Sequence, residues 1–196
     1  MNKKIVIYGG TFNPPHAGHE KVIRILLAES LTDEIWLLPS GDRLDKKISV
    51  SGSHRRRMLE ILLAKKFSDS KIPVKISDLE LRQKPPTYTY KTKKILDKRY
   101  PNREFYFAVG TDSLNQLKSE WQYGKELFRH LNFIGIRRSN FPLKEKPKHL
   151  RMLKNKSPAL SSAEIRKLLA LGKSSKTFKN LLIPEILDYI KNNHLY

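Results

Sequence analysis

The join between residues 3 and 28 constrains the fold more than any other stretch. There "KKIVIYGG" runs through "TFNPPHAGHE" into "KVIRILLA". A short apolar, β-branched run closed by glycines reads as a buried strand. Gly9 and Gly10 let the backbone turn tightly and pass close to a ligand with no Cβ in the way. Pro14 and Pro15 stiffen the approach to a helix that begins near Ala17-Gly18. The free N–H groups and positive dipole end of that helix would face the mouth of a sheet, a natural phosphate site. His16 and His19 are three apart, so both can lie on one side of the first turn. An imidazole there can donate to phosphate oxygens as charge builds in a transition state. A lone H-x-x-H is more often incidental, but the whole string following a strand favours the functional reading.

Strand and helix patterns go on alternating. "EIWLLP", "VKISDLEL", "EFYFAVG" and "FIGIRR" read as strands, and "HRRRMLEILLAKK" and "YTYKTKKILDKRY" as helices, the latter stopped by Pro101. Such alternation predicts right-handed βαβ units in an α/β fold. The expected architecture is a Rossmann-like, doubly wound parallel sheet with helices on both faces. Ligands then sit outside the carboxyl ends of the strands. "SNFPLKEKPKHLRMLKNKSP" is lysine-rich and poorly periodic, and reads as a long excursion, partly helical at "HLRMLK". A small helical part, about 157–196, closes a single domain spanning 1–196.

The chain has 196 residues, no cysteine and a net charge of +20 spread over both halves. The missing cysteine excludes disulfides, thiolate metal sites and cysteine nucleophiles, and fits a reducing compartment. No apolar run reaches the ~18 residues of a membrane span, and the expected location is cytoplasmic. A basic surface attracts polyanions, although a lysine-rich solvated surface is the commoner cause. The remaining histidines, His54, His130, His149 and His194, show no metal-ligand spacing, so no metal ligands are expected from the protein.

Two further strings carry chemistry. In "LSSAEIR" Ser161 and Glu164 have capping-box spacing, so a helix starts there. Ser162 and its freed N–H groups could form a second phosphate cradle, and Arg166, one turn in, could fork onto phosphate oxygens. An ordinary capped helix explains the string equally well when it is taken alone. In "VGTDS", Gly110 ends a strand, and Asp112 is placed either to accept from ribose hydroxyls or to cap the next helix.

"GGTFNPPHAGH" resembles the N-terminal signature of the nucleotidylyltransferase superfamily, with the H-x-G-H of His16 to His19, and most resembles that of the nicotinate mononucleotide adenylyltransferases. "PTYTYKTKKIL", "FAVGTDSLNQL", "IGIRRSNFP", "LSSAEIRKLL" and "LLIPEILDYIKNNHLY" are similar to further segments of that family, in order along nearly the whole chain. The chain departs from the pattern at Asn13, where the family usually has aspartate. "LPSGDRLDKK" lacks the family's Pro-Pro-His. Trp121 lies one residue late, with Lys118 in place of a proline. The last two departures fall around the acceptor nucleotide.

The resemblance implies adenylyl transfer from ATP, with Mg²⁺ bridging the phosphates, to nicotinate mononucleotide, in NAD biosynthesis. It implies catalytic roles for His16, His19 and Arg166. ATP would be bound by Gly9, Gly10, Thr11, Phe12, His16, His19, Gly110, Asp112, Ser162 and Arg166. The acceptor would be bound by Thr11, Lys46 (or Lys47), Tyr88, Thr89 and Trp121. Rival readings are a related adenylyltransferase acting on nicotinamide mononucleotide or phosphopantetheine, and a non-enzymatic nucleotide- or nucleic-acid-binding protein. The basic stretch 144–156 has no aromatic residue to stack on bases, which ranks nucleic acid low. A homo-oligomer is left open.

Overall fold

The computed structural model describes residues 2–29, 32–41, 48–158 and 160–196. The first half of the chain runs β1 (Lys3–Gly10), α1 (Ala17–Ala28), β2 (Glu34–Pro39), α2 (Gly52–Lys66), β3 (Val74–Ile76) and α3 (Thr89–Arg99). The second half runs β4 (Arg103–Gly110), α4 (Thr111–Glu120), α5 (Gly124–His130), β5 (Phe133–Arg138), β6 (Leu150–Ser157), α6 (Ser162–Ala170), a 3-10 turn (Ser175–Phe178) and α7 (Pro184–Asn192).

The six strands pair in the order β3-β2-β1-β4-β5-β6, and all their pairings are parallel. Alternation within each strand builds two cores. Val6, Tyr8, Ile35, Leu37 and Ala108 face one side, where residues of α1, α2, α6 and α7 cover them. Ile5, Ile7, Trp36, Leu38, Phe105 and Phe107 face the other, beneath α3, α4 and α5. This is the period of two expected of a strand with both faces buried. The chain winds outward from β1 to β3, then crosses back to lay β4 against β1. The β1–β4 junction is therefore the topological switch point, and a crevice opens there beyond the carboxyl ends of the strands.

The helical expectation for "HLRMLK" is wrong. Leu150–Ser157 forms β6, paired with β5 from Phe133↔Leu150 onward and with its register shifted between Gly135 and Arg137. Adjacent Met152 and Leu153 blur the period, and the backbone bonds that β5 offers override the weak local pattern. "VKISDLEL" is likewise shorter as a strand than expected, because only Val74–Ile76 pairs with β2. Leu153 is buried and Lys154 exposed. Leu153→Ala should cost about 2–5 kcal/mol in urea unfolding, and Lys154→Ala less than about 0.5 kcal/mol. Equal costs would contradict this register.

Candidate active site

β1 delivers the chain to residues 11–16. Phe12 adopts φ 50 and turns its ring back into the core, 4.9 Å from the His19 ring and edge-on to Tyr8 at 5.6 Å. A Cβ on Gly10 would meet that ring at 3.1 Å. The space Gly10 leaves is thus filled by Phe12, not held open for a ligand.

His16 is the N-cap of α1. Its Nδ1 accepts from the Gly18 N–H at 3.1 Å, and the His19 Nδ1 accepts from the His16 N–H at 3.1 Å. Two imidazoles therefore form a reciprocal capping box of the kind Ser/Thr and Glu/Gln usually form. Their ring centroids are 3.8 Å apart. Gly18 is required here, since a Cβ would lie 2.9 Å from the His16 ring. The open cradle of helix N–H groups expected at this turn is not present. The Ala17 N–H donates to the Leu181 carbonyl, and those of His19 and Glu20 donate to the His16 carbonyl.

With Nδ1 accepting in both rings, each neutral imidazole carries its proton on Nε2. Burial, with the nearby Arg138 charge, lowers the His16 pKa to about 4. Burial, His16 and Arg138 hold that of His19 well below the usual histidine value. Near pH 7 the free protein presents two uncharged N–H donors.

The facing wall comes from the ends of β4 and β5. Gly110 is the N-cap of α4, and a Cβ there would meet Asp112 Oδ1 at 2.3 Å and Arg138 Nε at 3.1 Å. Those two atoms lie 3.7 Å apart, too far for a hydrogen bond. Each is buried without a hydrogen-bond partner. An orphaned donor and acceptor side by side are a fitting place for a polar ligand. α6 supplies the last wall. Its capping box forms as expected between Ser161 and Glu164. Ser162 Oγ donates to the Pro14 carbonyl at 3.0 Å, and Arg166 Nη1 to the Asn13 carbonyl at 2.8 Å. Both side chains are thus partly spent on docking α6 to the β1–α1 turn.

A cavity of about 450 Å³ brings Thr11, His16, His19, Asp112, Ser162 and Arg166 together. Arg138 lines it as well, and the sequence reading missed it as a site residue. The available signal was an arginine at the carboxyl end of a strand that neighbours the switch point. Gly9, at the end of β1, is exposed and does not line this cavity.

Tyr88, Thr89 and Trp121 do not line it either. They lie at the start of α3 and the end of α4. Tyr88 caps α3 without a side-chain hydrogen bond, Thr89 is its first residue, and Trp121 closes α4. Tyr90 stacks on Tyr123 at 4.3 Å, tying the start of α3 to the turn that holds Trp121. Lys46 and Lys47 lie outside the described residues. Among the described residues no three His, Asp or Glu side chains converge to hold a metal ion, and no helix is long and apolar enough to cross a membrane.

The depressed histidines make a stability prediction. The unfolded His16 binds a proton near pH 6.5 and the folded one near 4. Its contribution is therefore complete above pH 6.5 and is lost as pH falls toward 4, by about 2 kcal/mol at pH 5. His16→Asn keeps an acceptor for Gly18 and removes this titration. The fall in Tm from pH 7 to 5 should be smaller in His16→Asn than in the wild type. An equal fall would contradict the neutral, buried imidazole.

The cytidylyltransferase-like family model matches residues 7–168. The nicotinate-nucleotide adenylyltransferase of Bacillus subtilis is 32% identical, with 99% of this chain and 98% of that protein covered. A probable nicotinate-nucleotide adenylyltransferase of Bacillus licheniformis is 34% identical over the same shares. Among solved structures, the Plasmodium falciparum nicotinic acid mononucleotide adenylyltransferase complexed with NaAD superposes with a TM-score of 0.86 at 32% identity, covering 99% of this chain and 97% of that one. With the H-x-G-H turn at the switch point and similarity along its whole length, the chain belongs to the cytidylyltransferase-like family and, within it, to the nicotinate-nucleotide adenylyltransferases.

Proposed function

We infer that this chain joins ATP to nicotinate mononucleotide, giving deamido-NAD and pyrophosphate. The observation that carries the reading is the pair of Nδ1-anchored histidines facing a cavity shared with Arg138 and Arg166. In this reaction a 5′-phosphate oxygen of the mononucleotide attacks the α-phosphorus of ATP. The bond to the β-phosphate bridging oxygen breaks in line, and pyrophosphate leaves. Such chemistry asks a protein to hold two anions together and to stabilise charge that develops between them.

The roles follow from chemical type. His16 and His19 donate from Nε2 to the phosphates. Because the rings begin neutral, they add no repulsion to the nearby arginines, and the arriving polyanion raises their proton affinity in place. Arg166 Nη1 is held by a carbonyl, which leaves its other nitrogens for phosphate oxygens. Arg138 and Asp112 line the same cavity with hydrogen-bonding capacity unused, which suits Arg138 to phosphate and Asp112 to ribose hydroxyls. A divalent cation such as Mg²⁺ would enter with ATP rather than on protein side chains, and would offset part of the phosphate charge. We place the reaction in the cytoplasm, in keeping with a chain free of cysteine.

The acceptor preference rests on the start of α3 and on Trp121. The first turn of α3 lacks a side-chain cap, so its N–H groups and dipole favour an anion, such as the nicotinate carboxylate, with Trp121 stacking on the ring. The amide of nicotinamide mononucleotide would leave a buried N–H₂ unpaired, at about 1–3 kcal/mol. Pyrophosphate release with both mononucleotides should give kcat/KM favouring the acid by roughly ten- to hundred-fold. In the same assay, His19→Ala should lower kcat by about 10²–10³. Equal use of both acceptors, or an active His19→Ala protein, would contradict the respective assignment.

A further inference from the structure

Asn13 lies in the turn between β1 and α1 and is 3% exposed. Three distant segments meet on it. Its carbonyl accepts from Arg166 Nη1 at 2.8 Å. Its Nδ2 donates to Ser49 Oγ, ahead of α2, at 3.3 Å. Its Oδ1 accepts from the Tyr196 hydroxyl at 2.5 Å.

Tyr196 comes to this place by a specific route. After α7 the Leu195 N–H donates to the Ile190 carbonyl and the His194 N–H to that of Lys191. That is a Schellman turn, with His194 at φ 52 in the left-handed position that favours glycine. The turn folds the chain back, and Tyr196 packs against the core on the side of α1, α2 and α7. Burial raises the pKa of its phenol, outweighing Arg166 and Arg55, so the hydroxyl stays protonated and available as a donor. The Asn13 amide is thus held between two hydroxyls, that of Tyr196 at one end and that of Ser49 at the other.

We propose that Tyr196 is a positioning residue for the adenylyl-transfer site, acting through Asn13 to seat Arg166. The proposal rests on the reaction inferred above. Without the hydroxyl, one end of the buried Asn13 amide is left unpaired, and the side chain is held only from Ser49. The Asn13 carbonyl, in the same residue, is the seat of Arg166. The next carbonyl, that of Pro14, is the seat of Ser162. Both α6 side chains that reach the site therefore depend on a turn that Tyr196 helps to hold. A tyrosine that merely packs would lose stability on becoming phenylalanine and leave turnover alone.

The test is a double-mutant cycle on the full chain, read by pyrophosphate release, with near-UV circular dichroism confirming folding. Tyr196→Phe keeps the ring. It should lower kcat by roughly ten- to hundred-fold, the scale of a misplaced catalytic group. In an Arg166→Ala background the same change should cost less than about threefold, because the residue being seated is already gone. Asn13→Asp keeps an acceptor for the hydroxyl and should stay within about threefold of the wild type. The proposal is overturned by an unchanged kcat in Tyr196→Phe, by an undiminished loss in the Arg166→Ala background, or by a loss in Asn13→Asp as large as in Tyr196→Phe. An inactive wild type would overturn the reaction and the proposal together. An active wild type with unchanged Tyr196→Phe would overturn the proposal alone.

Discussion

Two imidazole nitrogens acting as hydrogen-bond acceptors set the terms for the rest of the site. His16 and His19 use Nδ1 to satisfy backbone donors at the start of α1. That choice ends the strand–turn–helix join without serine or aspartate, which are the usual caps. It also fixes the tautomer and leaves the Nε2–H of both rings, which line the cavity together, free of that role. A serine cap would leave a helix with no catalytic donor. A histidine placed elsewhere would need another group to orient it. Here the bond that stabilises the helix is the bond that aims the ring, so local folding and chemistry are one interaction.

That arrangement needs a rigid base, and the fold gives it one from both ends of the sequence. The turn from Thr11 to Pro14 is held by Arg55 on the Thr11 carbonyl, by Ser49 and Tyr196 on the Asn13 side chain, and by Arg166 and Ser162 on the Asn13 and Pro14 carbonyls. These partners come from α2, the loop before it, α6 and the segment beyond α7. The topological switch at β1–β4 opens the crevice. α6 then closes one side of it with Ser162 and Arg166.

Much of this was legible in the sequence because it is written in local pattern. The apolar run of β1, the glycines and prolines after it and the Ser161–Glu164 box each carry their structure within a few residues. What escaped depends on pairing over distance. β6 exists because β5 offers it an edge, while Met152-Leu153 taken alone fits helix or strand. Arg138 looks like any arginine at the end of a strand until Asp112 and the histidines are seen around it. The expected cradle of free N–H groups failed because the histidines themselves occupy two of them. The Tyr196–Asn13 bond joins residues 183 apart in sequence, beyond the reach of any periodic pattern.

The central claim is that both histidines stand neutral, with the proton on Nε2, before ATP arrives. Nitrogen-15 NMR of imidazole-labelled protein at pH 7 tests this directly. The account predicts, for His16 and His19, one nitrogen shift typical of an unprotonated acceptor, assigned to Nδ1, and one typical of N–H, assigned to Nε2. Two protonated nitrogens in either ring, or a proton on Nδ1, would contradict it.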